Sequence, residues 1–268
     1  MKALVPPAIK TLHRKMIRSL AQRGVLRTAQ RCIAKPWEVL QYYFHDCLPR
    51  ERRYRSEERA FDRRHNVDTR VQRDLGWMAR IASPNWIHGI GYAPVPSGDV
   101  ARIIAGLNID YRQFVFVDLG AGKGRAVLVA AQFPFKRIVG VEYSPLLAEA
   151  MKTNIASYRN PRQRCFELES LLQDATQYHL PQEPLVLFFH HPFEAVIFRQ
   201  VRERIEQSLA DNPREMLVVY YDPQCKAVFE ESAYFRLLQQ GPADGRSVVS
   251  DDWVVYESLS TATPVERK

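Results

Sequence analysis

No run of apolar residues in this chain approaches the roughly 20 needed to cross a bilayer, and the longest, such as Leu185 to Phe189, are strand-sized. Cysteine is scarce as well. Cys32, Cys47, Cys165 and Cys225 are the four in 268 residues, and none sits in CxxC spacing. That argues against a disulfide framework and against a zinc or other metal site, and reads as unpaired thiols in a reducing compartment. The first 35 residues hold nine basic residues and no acid. No internal repeat and no low-complexity tract appears.

What is present suits an α/β domain with an extension: 46% of the residues are hydrophobic, enough for a core at this length. The net charge of +8 is unevenly placed. Residues 1–80 carry 19 Lys/Arg against 8 Asp/Glu, whereas residues 81–268 carry 19 against 22. The division expected is a basic helical extension over 1–80 and a ligand-binding domain over 81–268.

Ile9, Leu12, Met16, Ile17 and Leu20 recur at helical steps with Lys10, Arg14, Lys15 and Arg18 between them, a basic amphipathic helix that resumes from Val25 to Ile33. A helix packed on the domain, a membrane-surface helix, an organelle-targeting segment and a nucleic-acid-facing arm all fit this pattern. The arginines interrupt any secretory h-region. A cytoplasmic location is expected, with organelle targeting or peripheral membrane attachment through residues 1–35 as the alternative. Arg50 to Arg64 is a dense mixed-charge run that predicts a solvated helix.

The richest stretch runs from Val115 to Glu142. A β-branched run ends at Asp118, and glycines follow at every second position, Gly120, Gly122 and Gly124. A helix from Ala126 to Ala131 and a second strand, Ile138 to Val141, lead to Glu142. This is a strand–turn–helix–strand unit built to hold a nucleotide-like ligand. The turn needs backbone conformations that a Cβ forbids and a close approach of ligand to main chain, and amides at the helix start are expected to point at that ligand. Glu142 stands where a carboxylate accepts ribose hydroxyls.

The glycine spacing selects the nucleotide. A dinucleotide turn requires Gly-x-Gly-x-x-Gly, and the third position counted from Gly120 is Arg125. An acid before the first glycine repels a pyrophosphate but attracts the ammonium and sulfonium of S-adenosylmethionine. That ligand is the cofactor expected.

Further elements follow in order. Ser97 is placed as the cap of a helix through Val100 to Leu107, after a Gly/Pro loop at His88 to Pro96. Ser144-Pro145 opens a helix to about Tyr158. Strands are placed at Cys165–Glu169, Leu185–Phe189 and Met216–Tyr221, a helix at Glu194–Leu209, and two closing strands at Tyr234–Leu238 and Trp253–Tyr256. The fold predicted is a Rossmann-like α/β domain, a seven-stranded, mostly parallel sheet with an antiparallel C-terminal hairpin.

With the Asp118–Gly124 turn, the segment Phe61, Asp62, Arg63, Arg64, Val67, Asp68 and Thr69, and Pro192-Phe193 after the fourth strand, the chain resembles the class I S-adenosylmethionine-dependent methyltransferases. More narrowly it resembles a bacterial group carrying Phe-Asp-Arg-Arg and an Asn-Pro-Phe motif. The resemblance spans about Phe61 to Glu257. Asn66 stands where that group has glycine, a residue that tolerates left-handed backbone.

The resemblance implies cofactor contacts from Asp118, Gly120, Ala121, Gly122, Gly124, Glu142, Tyr143, Asp174, Ala175 and His190, with Asp174 accepting from the adenine amino group. Tyr92 and Pro94 become candidate lid residues. His191, Pro192 and Phe193 are the candidate catalytic residues. Relatives that methylate nitrogen hold the amine with the Asn oxygen where this chain has His191, and the aromatic ring walls the pocket. A neutral His191 fits the role of base. Adjacent histidines on a strand face opposite ways, so a shared metal is not expected. The activity implied is methyl transfer to nitrogen, on a protein lysine or small-molecule amine. The alternative is a binding protein that keeps the fold and has lost turnover.

Overall fold

The structure is a computed structural model that describes residues 49–70, 92–242 and 252–259, with side chains from residue 56 onward in the first segment. The amphipathic helix expected before Ile33, Cys32 and Cys47, and His88 to Gly91 lie outside the described residues. The chain divides into two units, 1–57 with 246–248, and 58–245 with 249–268. Of the first unit, the described residues are the opening turns of one helix.

Numbered among the described residues, the elements are α1 (Pro49–His65), α2 (Ser97–Ala105), β1 (Val115–Leu119), α3 (Arg125–Ala130), β2 (Arg137–Glu142), α4 (Pro145–Ser157), β3 (Leu168–Leu172), β4 (Leu185–His190), α5 (Ala195–Asp211), β5 (Met216–Tyr221), α6 (Ala227–Glu230), β6 (Phe235–Pro242) and β7 (Asp252–Ser258). The sheet order is β3-β2-β1-β4-β5-β7-β6. The first five strands pair in parallel, and β7 inserts antiparallel between β5 and β6. This is the seven-stranded Rossmann-like sheet with a closing antiparallel hairpin.

Strand periodicity makes two cores. Phe116, Ile138, Val186, Phe188, Leu217, Val219 and Val255 point to one face, where they meet Val100, Ile103 and Ile104 of α2, the apolar α3 and Met151 of α4. Val115, Val117, Leu187, Phe189, Met216, Val218 and Tyr256 point to the other, against Ile197, Phe198, Val201 and Ile205 of α5. Strands covered on both faces have no polar alternation to display, so β5, β4 as far as Phe189 and β1 as far as Val117 read as unbroken apolar runs.

Three local expectations are corrected. The third strand runs Leu168–Leu172, three residues later than Cys165–Glu169, because Ile138 of β2 pairs with Leu168. Arg164 and Cys165 instead donate their amides to the Ala131 carbonyl beyond the end of α3. Ser97 is the first residue of α2 and not its cap; Pro96 precedes it, with no side-chain cap bond. The solvated helix is solvated on one side only. Glu58, Phe61, Asp62 and His65 recur at three- and four-residue steps and are buried. Asn66, just past the helix end, takes φ 57°.

Candidate active site

β1 delivers Asp118 to the carboxyl end of the sheet, where open parallel sheets bind ligands. Asp118 is 3% exposed. Burial, and then the neighbouring Glu142, push its carboxyl well above the usual carboxylate range. Its carboxyl has no hydrogen-bond partner among the described residues.

Glu142, at the end of β2, is held differently. One oxygen accepts from the Gly122 amide at 2.8 Å and the other from the Ser144 amide at 2.9 Å. Burial raises it to about 6, an effect that the amides of Ser144, Gly122 and Tyr143 partly offset. The Tyr143 phenol is pushed up to about 12, by burial first and then by the charges of Glu142 and Asp174.

The glycine turn departs from expectation in one respect. Its amides do not stand free. Those of Gly120 and Ala121 donate to the Val141 carbonyl, that of Gly122 to Glu142, and that of Gly124 to the Ala121 carbonyl. The positive φ angles are there, +90° at Gly120 and +56° at Gly122, and close approach is there too. The groups that approach are side chains of the protein. A Cβ on Gly120 would lie 2.4 Å from Cβ of Pro192, and one on Gly122 would lie 2.3 Å from Cε2 of Tyr92. Tyr92 therefore lies against the turn, and Pro94 is buried.

This contact gives a direct test. Gly122→Ala combines a strained backbone with a clash against the Tyr92 ring, and is expected to cost about 1–3 kcal/mol of stability. Thermal melts of Gly122→Ala, Tyr92→Ala and the double variant form a cycle. The double variant is expected to be more stable than the sum of the singles predicts; strict additivity would mean the ring and the turn do not touch.

The Phe61–Thr69 segment explains Arg125, whose part in the sequence reading was only to break the dinucleotide spacing. Arg125 is 2% exposed, its Nη2 3.4 Å from Oδ1 of Asp62, its Nε donating to Oγ1 of Thr69 and its guanidinium 4.7 Å above the Phe61 ring. Asp62 also accepts from the Thr69 hydroxyl at 2.7 Å and amide at 3.1 Å. Buried Lys123 lies 3.4 Å from Asp68, and Asn154 of α4 ties both backbones together by donating to the carbonyls of Lys123 and Asp68. The Tyr92 hydroxyl donates to the Thr69 carbonyl. One polar brace thus joins the N-terminal motif, the glycine turn, α4 and Tyr92. Lys123, Arg125 and Asn154 were missed as members of the site, although two cations inside an otherwise apolar turn-and-helix start are a readable signal.

At the end of β4 the two histidines part, because His190 is the last residue of the strand and His191 lies beyond it with a left-handed backbone. His190 faces Tyr221, ring centroids 5.3 Å apart. Desolvation, and then His191, push it down to about 4, while a hydrogen bond to the Ala93 backbone opposes this. His191 turns to the other face at φ 37°, its Nδ1 2.8 Å from the Tyr220 hydroxyl. Pro192 lies against Gly120. Phe193 is 6% exposed and packs edge-on against Phe198 in the second core, 5.7 Å between centroids. Asp174 caps a short 3₁₀ turn, its Oδ1 accepting from the Thr176 amide and hydroxyl, with buried Ala175 beginning the turn. Among the described residues no group of three or more His, Cys, Asp or Glu is placed to hold a metal, and Cys165 and Cys225 are free thiols. No described helix is long and apolar enough to cross a membrane.

No protein-family profile and no curated protein sequence matches the chain. Solved structures that resemble it include methyltransferases, among them S-adenosylmethionine-dependent ones. One, from Leishmania major, is 14% identical over 61% of this chain and 71% of its own, with a TM-score of 0.46. The glycopeptide N-methyltransferase MtfA with S-adenosylhomocysteine is 13% identical over 63% and 90%, TM-score 0.47. An RNA methyltransferase from Salinibacter ruber, also with S-adenosylhomocysteine, is 18% identical over 62% and 92%, TM-score 0.44. Strand order carries the fold independently of these likenesses.

Proposed function

We propose that this protein is an S-adenosylmethionine-dependent methyltransferase directed at nitrogen. The observation that carries the reading is a buried carboxyl, Asp118, with no hydrogen-bond or ion-pair partner among the described residues, beside a second carboxylate at the end of the neighbouring strand, on a sheet of this order. A desolvated acid without a cation is costly. A ligand with an ammonium and a sulfonium offsets that cost; a pyrophosphate adds to it.

The residues fit the cofactor in other ways. A carboxylate has about four acceptor positions, so Glu142 keeps room for a ribose hydroxyl beside its amide donors. Gly120, Ala121, Gly122 and Gly124 form the floor, and Tyr143, Asp174 and Ala175 the adenine side. When bound, the cofactor supplies an activated methyl carbon: a nucleophile's lone pair forms the new bond as the carbon–sulfur bond breaks and its electron pair returns to sulfur. What the protein adds is placement and exclusion of water, with Tyr92 and Pro192 against the turn and His190 and His191 at the end where the acceptor arrives. The acceptor amine is that of a protein lysine or a small molecule.

Calorimetric titration of the full chain tests this. S-adenosylhomocysteine is expected to bind in the micromolar range, about −8 kcal/mol, and NAD not at all. Equal binding of both, or of neither, would remove the cofactor assignment.

A further inference from the structure

His191 takes the place of an asparagine whose oxygen accepts a hydrogen bond, so whether its outer nitrogen is an acceptor decides what it does. The Tyr220 side chain answers this. Tyr220 is fully buried in the second core, stacked on Phe198 with centroids 4.8 Å apart. Its hydroxyl has three neighbours, the Cys225 amide, the Cys225 thiol and Nδ1 of His191. The Cys225 amide, 3.2 Å away, can only donate. Nδ1 of His191, 2.8 Å away, can donate or accept according to tautomer.

A phenol oxygen that receives an N–H still carries a proton to place. Burial pushes the Tyr220 phenol far above its ordinary range, so that proton stays on. The Cys225 thiol also lies beside the hydroxyl, but sulfur is a weak acceptor and imidazole nitrogen a good one. The proton therefore goes to Nδ1, and the hydrogen of neutral His191 sits on Nε2. The His191 and Tyr220 rings lie within 19° of parallel, and His191 holds a left-handed φ that non-glycine residues rarely keep.

Resting on the methyltransferase reading, we propose that Tyr220 is a positioning residue that fixes His191 as a hydrogen-bond donor, so that the methyl acceptor meets an N–H and not a base. His191 then does not deprotonate the nucleophile, and the amine reacts as the neutral species. The donor suits an acceptor molecule that carries an oxygen, carbonyl or carboxylate, beside its nucleophilic nitrogen. The amine's lone pair is committed to the methyl carbon and cannot also receive the N–H. Methyl transfer to a neutral amine leaves a methylammonium, which releases its proton to water, so no protein base is needed for the balance.

Long-range ¹⁵N–¹H NMR on the full chain, without and with S-adenosylhomocysteine, tests the assignment. His191→Gln identifies the His191 signals by their loss. The expected result is an Nε2–H tautomer whose Nδ1 carries the shift of a hydrogen-bond acceptor. In Tyr220→Phe the Nδ1 shift is expected to move to that of a free imidazole nitrogen. The titration midpoint of His191 is expected to rise there, because a donor that favours the neutral ring has gone. An Nδ1–H tautomer in the wild type, or a midpoint that falls in Tyr220→Phe, would overturn the proposal. The wild-type tautomer decides even where the variant folds poorly. Failure of S-adenosylhomocysteine to bind would remove the methyltransferase reading while leaving the tautomer measured, so the two failures are separable.

Discussion

Asp118→Asn is expected to weaken S-adenosylmethionine binding by about 10²-fold or more and, in the same protein, to raise the melting temperature at pH 8. Two unit charges about 4 Å apart interact by about 4 kcal/mol at an effective dielectric near 20, and a tenfold change in affinity is about 1.4 kcal/mol. Loss of the charge therefore costs two decades or more. The stability gain comes from the same physics. Asp118 is buried beside Glu142 with no partner for its carboxyl among the described residues, so a neutral amide of the same shape relieves about 1–2 kcal/mol, worth a few degrees at this size. Calorimetry and thermal melts on one preparation read both. A variant that is stabilised yet binds with unchanged affinity would make Asp118 a buried acid with no ligand to serve.

The pH dependence of the wild type carries a second sign. Folded Glu142 titrates near 6 against 4.5 for the ordinary carboxyl, so between those values the folded protein holds a proton that the unfolded chain has released. Its contribution to stability is fully present below about pH 4.5 and is lost as pH rises through 6, a fall of about 2 kcal/mol. Cofactor affinity runs the other way, weakening as pH drops below 6 and the anionic form is lost. Melts in the absence and presence of S-adenosylmethionine from pH 4.5 to 8 should therefore converge at the acid end.

The other large effect concerns the brace. Asp62→Ala leaves the Arg125 guanidinium buried without its carboxylate, and breaking a buried pair from one side costs about 3–5 kcal/mol. The expected fall in melting temperature is on the order of 10 °C. Removing both charges, with Asp62→Leu and Arg125→Met, is expected to recover much of the loss, since buried ion pairs are often no better than apolar residues that fill the same volume. A single substitution that melts like the wild type would show the pair to be solvated. If the double variant is stable and loses cofactor affinity, the brace holds the turn in shape as well as in place.

The sheet and its order were legible because strands buried on both faces leave unbroken apolar runs, and because Asn160-Pro161, Asp211-Asn212-Pro213 and Asp222-Pro223 punctuate them. The third strand was misplaced for a related reason. It is an edge strand, with Phe166 just before it 78% exposed, so apolarity does not mark its ends and only pairing with β2 sets them. Phe193 read as a pocket wall because a motif gives residue type without direction; the turn after β4 swings it into the core against Phe198.

From its own residues the chain declared a parallel α/β sheet, a glycine turn after Asp118 and an acid at the end of the next strand, because each is written in contiguous spacing. Folding alone decided the rest. The turn's amides are satisfied within the protein, Arg125 belongs to Asp62 and Thr69, Tyr92 and Pro192 fill the space beside the glycines, and the Tyr220 hydroxyl meets Nδ1 of His191. The turn's own amides apart, those partners stand 29 to 72 positions apart in the chain, and hydrogen bonds and packing act across space, where no local pattern records them.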